Sequence, residues 1–206
     1  GYDAALTTGL ADWRIGRLVN TRMTDKGRSG AFGVGSQCEV TGVSLLDEEP
    51  SDWRKAAVVR GPVKYFAGLL TQGWMLFPSP LRDQLREKRT PGLIRRGADL
   101  LKAGTTIPAN REVVAFWDLG NYYCAYPELL VSGGKGTEIR WDWAECLTGL
   151  DGRKGDRAAF EGLDMHRPFG DVFRCDGRTE ARFTTPWWRC GKWCRLTIKT
   201  ADEPLT

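Results

Sequence analysis

The chain of 206 residues contains a single histidine, His166, and this scarcity excludes several familiar kinds of active site. A nucleophilic Ser or Cys triad needs a histidine beside its nucleophile, and no Gly-x-Ser-x-Gly motif accompanies His166. A zinc site needs closely spaced cysteine pairs with histidine support. The nearest cysteines, Cys190 and Cys194, lack that spacing, so we predict neither a metal nor a cofactor.

Long apolar runs and a strong net charge are also lacking. No run approaches the roughly 18–20 apolar residues that a membrane-spanning helix needs, so no membrane span is predicted. The net charge is only +4, with lysine and arginine interspersed among aspartate and glutamate. Proteins that read nucleic acid usually carry a basic stripe and a recognisable motif, so nucleic acid is not an expected partner.

The six cysteines are scattered along the chain, and the sequence cannot choose among the pairings that they allow. Several lie in strand-like stretches, where a free thiol behaves as a small apolar side chain. We therefore expect buried free thiols among Cys38, Cys124, Cys146, Cys175, Cys190 and Cys194.

Glycine and proline, by contrast, are plentiful, with 25 and 10 residues that punctuate short apolar runs. This pattern is typical of all-β folds. We predict an antiparallel β-sandwich of the jelly-roll or concanavalin-like kind over residues 93–206. Residues 1–92 are predicted to form a smaller, partial N-terminal β-domain that ends in a proline-rich linker at 78–92.

Alternation of side chains gives the clearest strands. In segment 138–143, three charged residues alternate with three apolar ones, which places the two kinds on opposite faces of a sheet. Segment 195–199 alternates in the same way. Shorter strands are predicted in the N-terminal region at 12–15, 31–35, 38–40 and 56–59.

Other segments depend on turn signals. A strand over 112–118 is expected to stop at Gly120, and a strand over 127–132 is followed by a glycine-rich turn. The Asp176-Gly177 pair predicts a hairpin over 171–183, because this dipeptide favours a tight two-residue turn. Segment 93–102 is predicted to form either a helix or a strand that bends at Gly97.

Nine tryptophans, eight phenylalanines and five tyrosines suggest carbohydrate or domain contacts. Sugar rings stack on indoles, and their hydroxyls suit charged side chains. The candidates for a carbohydrate surface or a domain interface are Trp187, Trp188, Arg189 and Trp193. Aromatic residues also fill sandwich cores and interfaces, and consecutive strand residues face opposite ways, so one of Trp187 and Trp188 is expected to point inward.

Paired carboxylates would indicate a glycosidase centre. Glu145, Asp151, Glu161 and Asp164 are available, but nothing in the sequence fixes two of them as a pair. We expect solvated turn residues and predict no catalytic residue in this chain.

Many small motifs over residues 107–206 occur in an order that resembles a known family. They include Ile107-Pro108-Ala109-Asn110, Phe116-Trp117-Asp118-Leu119-Gly120, Ala144-Glu145, Lys154-Gly155-Asp156-Arg157, Asp171-Val172-Phe173, Asp176-Gly177, Pro186-Trp187-Trp188-Arg189 and Asp202-Glu203-Pro204-Leu205-Thr206. Together they resemble the β-sandwich that precedes the catalytic barrel of bacterial α-L-rhamnosidases (glycoside hydrolase family 78). The final strand departs from the family, with Lys192-Trp193-Cys194-Arg195 where an Arg-Tyr pair is usual.

The resemblance implies an accessory, non-catalytic part of an enzyme that removes terminal L-rhamnose with inversion. The family's acid and base carboxylates lie in a downstream (α/α)6 barrel, which would be the partner of this chain. Rhamnose-containing glycans are the implied substrates, the chain alone is expected to be inactive, and the parent is expected to be periplasmic or secreted.

Two alternatives remain open. An autonomous carbohydrate-binding module would show an exposed, coplanar aromatic patch and could use a calcium-assisted rhamnose site. A purely structural domain would bury Trp187, Trp188 and Trp193 or leave them on a surface that a neighbouring domain covers.

Overall fold

A computed structural model describes residues 12–25, 36–42, 47–57, 87–88, 92–166 and 169–206. Contacts divide the chain into two units, Gly1–Arg17 with Pro50–Arg89, and Leu18–Glu49 with Thr90–Thr206. In the first unit, strands β1 (Arg14–Ile15) and β4 (Arg54–Lys55) form a short antiparallel pair. Strands are numbered in chain order.

Among the described residues, the second unit is built on a sheet of seven strands. In spatial order they are β2 (Thr21–Asp25), β3 (Ser36–Thr41), β9 (Phe169–Arg174), β8 (Glu138–Ala144), β11 (Arg189–Lys199), β6 (Glu112–Ala125) and β5 (Leu93–Arg96). Every neighbouring pair is antiparallel except β3 and β9, which are parallel. The all-β prediction is confirmed, and the large sheet is mixed where a purely antiparallel one was expected.

A smaller sheet of β7 (Glu128–Val131) and β10 (Ala181–Thr184) supplies a second layer. Its inward side chains, including Val131 and Phe183, join a core made with the large sheet. The rings of Phe173 and Phe183 stack with centroids 5.1 Å apart across this core. Burial of these apolar faces is what gives the unit its sandwich-like layers.

The opposite, outer face of the large sheet is partly covered by the loops that follow β8. Phe116 and Trp193 pack there with Leu147 and Met165 in a second apolar cluster. The alternation predicted for 138–143 is confirmed as strand β8. However, Asp142 on its charged face is fully buried beneath this cover, although solvent exposure would be usual for a charged strand face.

The hairpin predicted over 171–183 is wrong. Strand β9 pairs with β3 and β8 in the large sheet, whereas β10 pairs with β7 in the small sheet. Asp176 holds the connection by accepting hydrogen bonds from the backbone and guanidinium of Arg178. The chain therefore crosses from one layer to the other at this point, because Phe173 and Phe183 are both buried between the layers.

Two other elements differ from their predicted limits. Strand β6 does not stop at Gly120 but continues to Ala125. Gly120 has a positive φ of 80° and lies where the pairing register between β6 and β11 shifts. Segment 93–102 combines both predicted alternatives: β5 ends at Arg96, Gly97 has a φ of 69°, and a short 3-10 helix follows at Ala98–Leu101.

The predicted N-terminal domain of 1–92 includes β2 and β3, but contacts place both strands in the second unit. Strand β3 confirms the prediction at 38–40, whereas β1 covers only the last two residues of 12–15. The strand predicted at 56–59 is replaced by β4, which lies earlier in the chain at Arg54–Lys55. Segments 31–35 and 58–59 and most of the linker 78–92 lie outside the described residues.

Candidate functional site

An open groove of about 380 Å³ lies on the outer face of the large sheet, where β5, β6, β8 and β11 run side by side. The strands alternate, so every second residue points into it. Its lining is almost entirely polar: Arg96, Glu112, Val114, Glu138, Arg140, Asp164, Arg195, Thr197 and Lys199.

Asp142, fully buried in β8, holds two arginines of this groove in place. The Arg140 guanidinium contacts its carboxylate at 2.9 Å, and Arg195 Nη2 reaches it at 3.3 Å from the neighbouring strand β11. Arg195 also donates to the Met165 carbonyl at 3.3 Å. Because the two arginines share one buried anion, their positions are fixed before any ligand arrives.

The carboxylates that line the groove are also engaged. Glu112 pairs with Lys199 at 3.1 Å, and Asp164 lies 3.7 Å from Arg195. Within the described ranges, Arg96 is the groove cation for which no ion pair is found. Such an arrangement of fixed donors and acceptors suits a polar ligand that carries hydroxyl or carboxylate groups, and Val114 is the one apolar residue among the described lining.

Of the carboxylates considered for glycoside hydrolysis, Glu145, Asp151 and Glu161 are exposed in turns or bends, whereas Asp164 is half-buried. Glu145 is exposed and lies 3.9 Å from Lys154, and Asp151 is exposed and lies 3.6 Å from Arg153. Asp164 sits in a bridge with Thr148, and Glu161 is exposed in a turn. Three of the four therefore lie near a cation, each on a different partner: Lys154, Arg153 or Arg195.

The four predicted surface candidates separate into two pairs. Trp187 is 41% exposed and Trp188 is half-buried, with ring centroids 6.5 Å apart and planes tilted by 36°. Trp188 is thus less exposed than Trp187, neither ring is buried, and the two are not coplanar. Trp193 is fully buried on β11 and Arg189 is 3% exposed, so neither offers a surface to a ligand in this structure.

Arg189 instead anchors the base of the Trp187–Trp188 loop. Its Nε donates to Asp171 Oδ2 at 2.7 Å and its Nη2 to Asp171 Oδ1 at 2.5 Å. Nη2 also donates to the Ser36 carbonyl at 2.8 Å, and the guanidinium lies 5.4 Å from the centre of the Phe169 ring. A buried bidentate pair of this kind holds the start of β11 against β3 and β9.

We name the surface formed by Tyr126, Trp187 and Trp188 the aromatic edge. The segments that carry them run side by side, because Ala125 pairs with Arg189 on one side and Glu128 pairs with Thr184 on the other. Tyr126 is 60% exposed. None of these three residues lines the charged groove, so the aromatic edge and the groove are separate surfaces.

Trp187→Ala is expected to change the free energy of unfolding by less than about 1 kcal/mol, since the ring is exposed and lies outside the core. Urea denaturation of the variant and of the unmodified chain measures this. A loss above about 2 kcal/mol would show that Trp187 supports the fold and is not available as a contact surface.

Sequence reasoning missed the groove and the anchoring role of Asp171. The alternation in the sequence shows a charged face on β8 and on β11. These two faces indicate a polar groove only when the strands are known to be neighbours in the sheet. No local signal marks Asp171, because its partners on β3 and β11 are distant along the chain.

Among the described residues, no three histidine, cysteine, aspartate or glutamate side chains are grouped closely enough to hold a metal ion. The described part of the chain also has no helix with the length and apolarity required to cross a bilayer. Comparison with protein-family models, with curated proteins and with solved structures found no match for this chain.

Proposed function

We propose that this chain is a non-catalytic β-sandwich region of an α-L-rhamnosidase-like glycoside hydrolase that acts on rhamnose-containing glycans. The resemblance of residues 107–206 motivates the proposal, and that range contains β6 to β11 of the second unit. The observation that carries it is the aromatic edge, where Trp187 stays 41% and Tyr126 60% exposed beside a buried Arg189–Asp171 anchor.

Such an edge fits contact with a neighbouring catalytic domain. Exposed aromatic rings on a fixed base give a large apolar contact with little loss of conformational freedom. Its separation from the polar groove favours a protein surface over a sugar site, because a sugar site combines stacking with hydrogen bonds to hydroxyls. In this proposal the edge contacts the (α/α)6 barrel, which holds the acid and base.

The purified chain is expected to show no turnover of an aryl α-L-rhamnoside. The reason is that Glu145 and Asp164 are paired with cations and are not held as an acid and a base. Release of the aryl alcohol is followed by absorbance, with Glu145→Gln and Asp164→Asn as matched variants. Turnover that survives purification and is abolished by either variant would refute the proposal.

A second candidate is an autonomous carbohydrate-binding module, favoured by the exposure of Trp187 alone. Calorimetric titration with L-rhamnose separates the two functions. The preferred proposal expects no binding heat, whereas a module expects saturable heat that Trp187→Ala removes. Trp53→Ala is the matched control, because Trp53 is 44% exposed and belongs to the first unit.

A further inference from the structure

Two cysteines face each other across neighbouring strands of the large sheet. Cys124 on β6 and Cys190 on β11 are direct antiparallel partners, and both are free thiols. Directly opposed residues have Cα atoms about 4.5–5.5 Å apart, within the range of about 4.4–6.8 Å that a disulfide spans. Cys124 is exposed and Cys190 half-buried, so small reagents can reach the pair.

The other cysteines are placed differently. Cys38, Cys175 and Cys194 are buried, and burial raises the pKa of Cys38 and of Cys175 to about 12. Cys146 is half-buried on the segment after β8. Thiols react as thiolates, so the three buried groups are inert at neutral pH.

A tyrosine connects Cys190 to a carboxylate. The Tyr122 hydroxyl donates to Glu145 Oε1 at 2.9 Å and lies 3.0 Å from Cys190 Sγ. Because the only hydroxyl proton is used toward Glu145, the Cys190 thiol must donate to the tyrosine oxygen. The Cys190 thiol, the Tyr122 hydroxyl and the Glu145 carboxylate therefore form one chain of hydrogen bonds.

Cys124 and Cys190 are direct partners on β6 and β11, and partial burial together with the charge of Cys190 raises the pKa of Cys124. Ionisation of Cys124 is favoured only at higher pH, so any reaction that needs its thiolate becomes faster as the pH rises.

We propose that Cys124 and Cys190 are a reversible redox pair that closes as a cross-strand disulfide by exchange with a low-molecular-weight disulfide such as glutathione disulfide. The Cys190 thiolate attacks one sulfur of glutathione disulfide, releases one glutathione thiolate and forms a mixed disulfide. The Cys124 thiolate then attacks the Cys190 sulfur and releases the second glutathione. Two protein thiols and one glutathione disulfide become one protein disulfide and two glutathione thiols.

The disulfide would join β6 and β11 next to the point where their pairing register shifts. Beyond the irregularity between Gly191 and Trp193, only the pairs at Arg189, Cys190 and Gly191 join β11 to this end of β6. A disulfide there fastens the two strands directly beside the aromatic edge. It also closes a long loop from Cys124 to Cys190, which restricts the unfolded chain and raises thermal stability.

The test titrates the reduced full chain with glutathione disulfide, blocks free thiols with iodoacetamide and maps the peptides by mass spectrometry. We expect loss of two of the six thiols, a peptide linking Cys124 to Cys190, reversal by dithiothreitol and a melting temperature raised by roughly 5–10 °C. Cys146→Ser is the matched control and should form the same link.

Variants of Cys124 and of Tyr122 separate disulfide closure from reaction at Cys190 alone. Cys124→Ser should stop at a mixed disulfide on Cys190, with the melting temperature of the reduced chain unchanged within about 2 °C for this conservative change. Tyr122→Phe should leave the linked end point unchanged, because Tyr122 contributes neither of the two bonded sulfurs. Stable glutathione adducts on both cysteines, or a link that involves Cys146, would overturn the pair.

Discussion

Replacing Asp171 with alanine is expected to lower the free energy of unfolding by about 3–5 kcal/mol, because it leaves a buried guanidinium without its counter-charge. Asp171 is fully buried and Arg189 is 3% exposed. The carboxylate accepts from Arg189 at 2.7 and 2.5 Å and from the backbone N–H of Cys38 at 2.8 Å. The single change therefore removes contacts that join three strands, and equilibrium urea denaturation measures the loss.

An exposed ion pair on the same sheet provides the control for Asp171. The side chains of Glu112 and Lys199 form an ion pair, and each is 56% exposed. Glu112→Ala should therefore lower the free energy of unfolding by less than about 1 kcal/mol. Replacing the pair together, with Asp171→Leu and Arg189→Met, should recover part of the loss because no lone charge stays buried. A free energy of unfolding for Asp171→Ala within about 1 kcal/mol of the unmodified chain would show that the Arg189–Asp171 pair does not stabilise the fold.

Trp193→Ala is expected to destabilise the second unit by about 3–5 kcal/mol through loss of buried apolar contact and the cavity that it leaves. The Trp193 ring is fully buried and stacks on Phe160 with centroids 5.9 Å apart. Phe116 packs at 6.0 Å from the same ring, and the indole N–H donates to the Arg157 carbonyl at 3.2 Å. Through Phe160 and the Arg157 carbonyl, the Trp193 ring holds the loops that follow β8 against the sheet.

Thermal and urea unfolding of Trp193→Ala and Trp193→Phe distinguish packing from surface roles. Phenylalanine retains an aromatic ring, so this variant should lose less than the alanine variant. Trp187→Ala serves as the matched control, because Trp187 is an exposed tryptophan that lies just before β11. Equal and small losses in Trp187→Ala and Trp193→Ala would show that the cluster around Trp193 contributes little.

Local alternation was sufficient to predict the strands at 138–143 and 195–199, since a period of two is a property of the segment itself. The Asp176-Gly177 turn was misjudged because its preference for a hairpin is weaker than the burial of Phe173 and Phe183 between two layers. The turn residues were identified, but the pairing of the flanking strands depends on partners elsewhere in the chain.

The candidate surfaces show the same limit. The exposure of Trp187 has no marker in its neighbours Pro186 and Trp188, and the burial of Trp193 depends on loops from 145 to 166 that fold over β11. Arg189 looked like part of an aromatic surface because it follows two tryptophans. Its true partner, Asp171, lies 18 residues away, and the Ser36 carbonyl lies 153 residues away. Contacts between such distant residues leave no pattern in one sequence.

Strand β11 lies between β8 and β6 in the sheet, yet it follows both of them along the chain. During synthesis on the ribosome, β6 and β8 have therefore already emerged while the space between them is still empty. On the edges of β6 and β8 that face each other, the backbone donors and acceptors stay unpaired until residue 199 has been made, although the other edges can pair with β5 and β9. The unpaired edges can recruit other nascent chains. Slow translation through 189–199 should consequently lower the soluble yield.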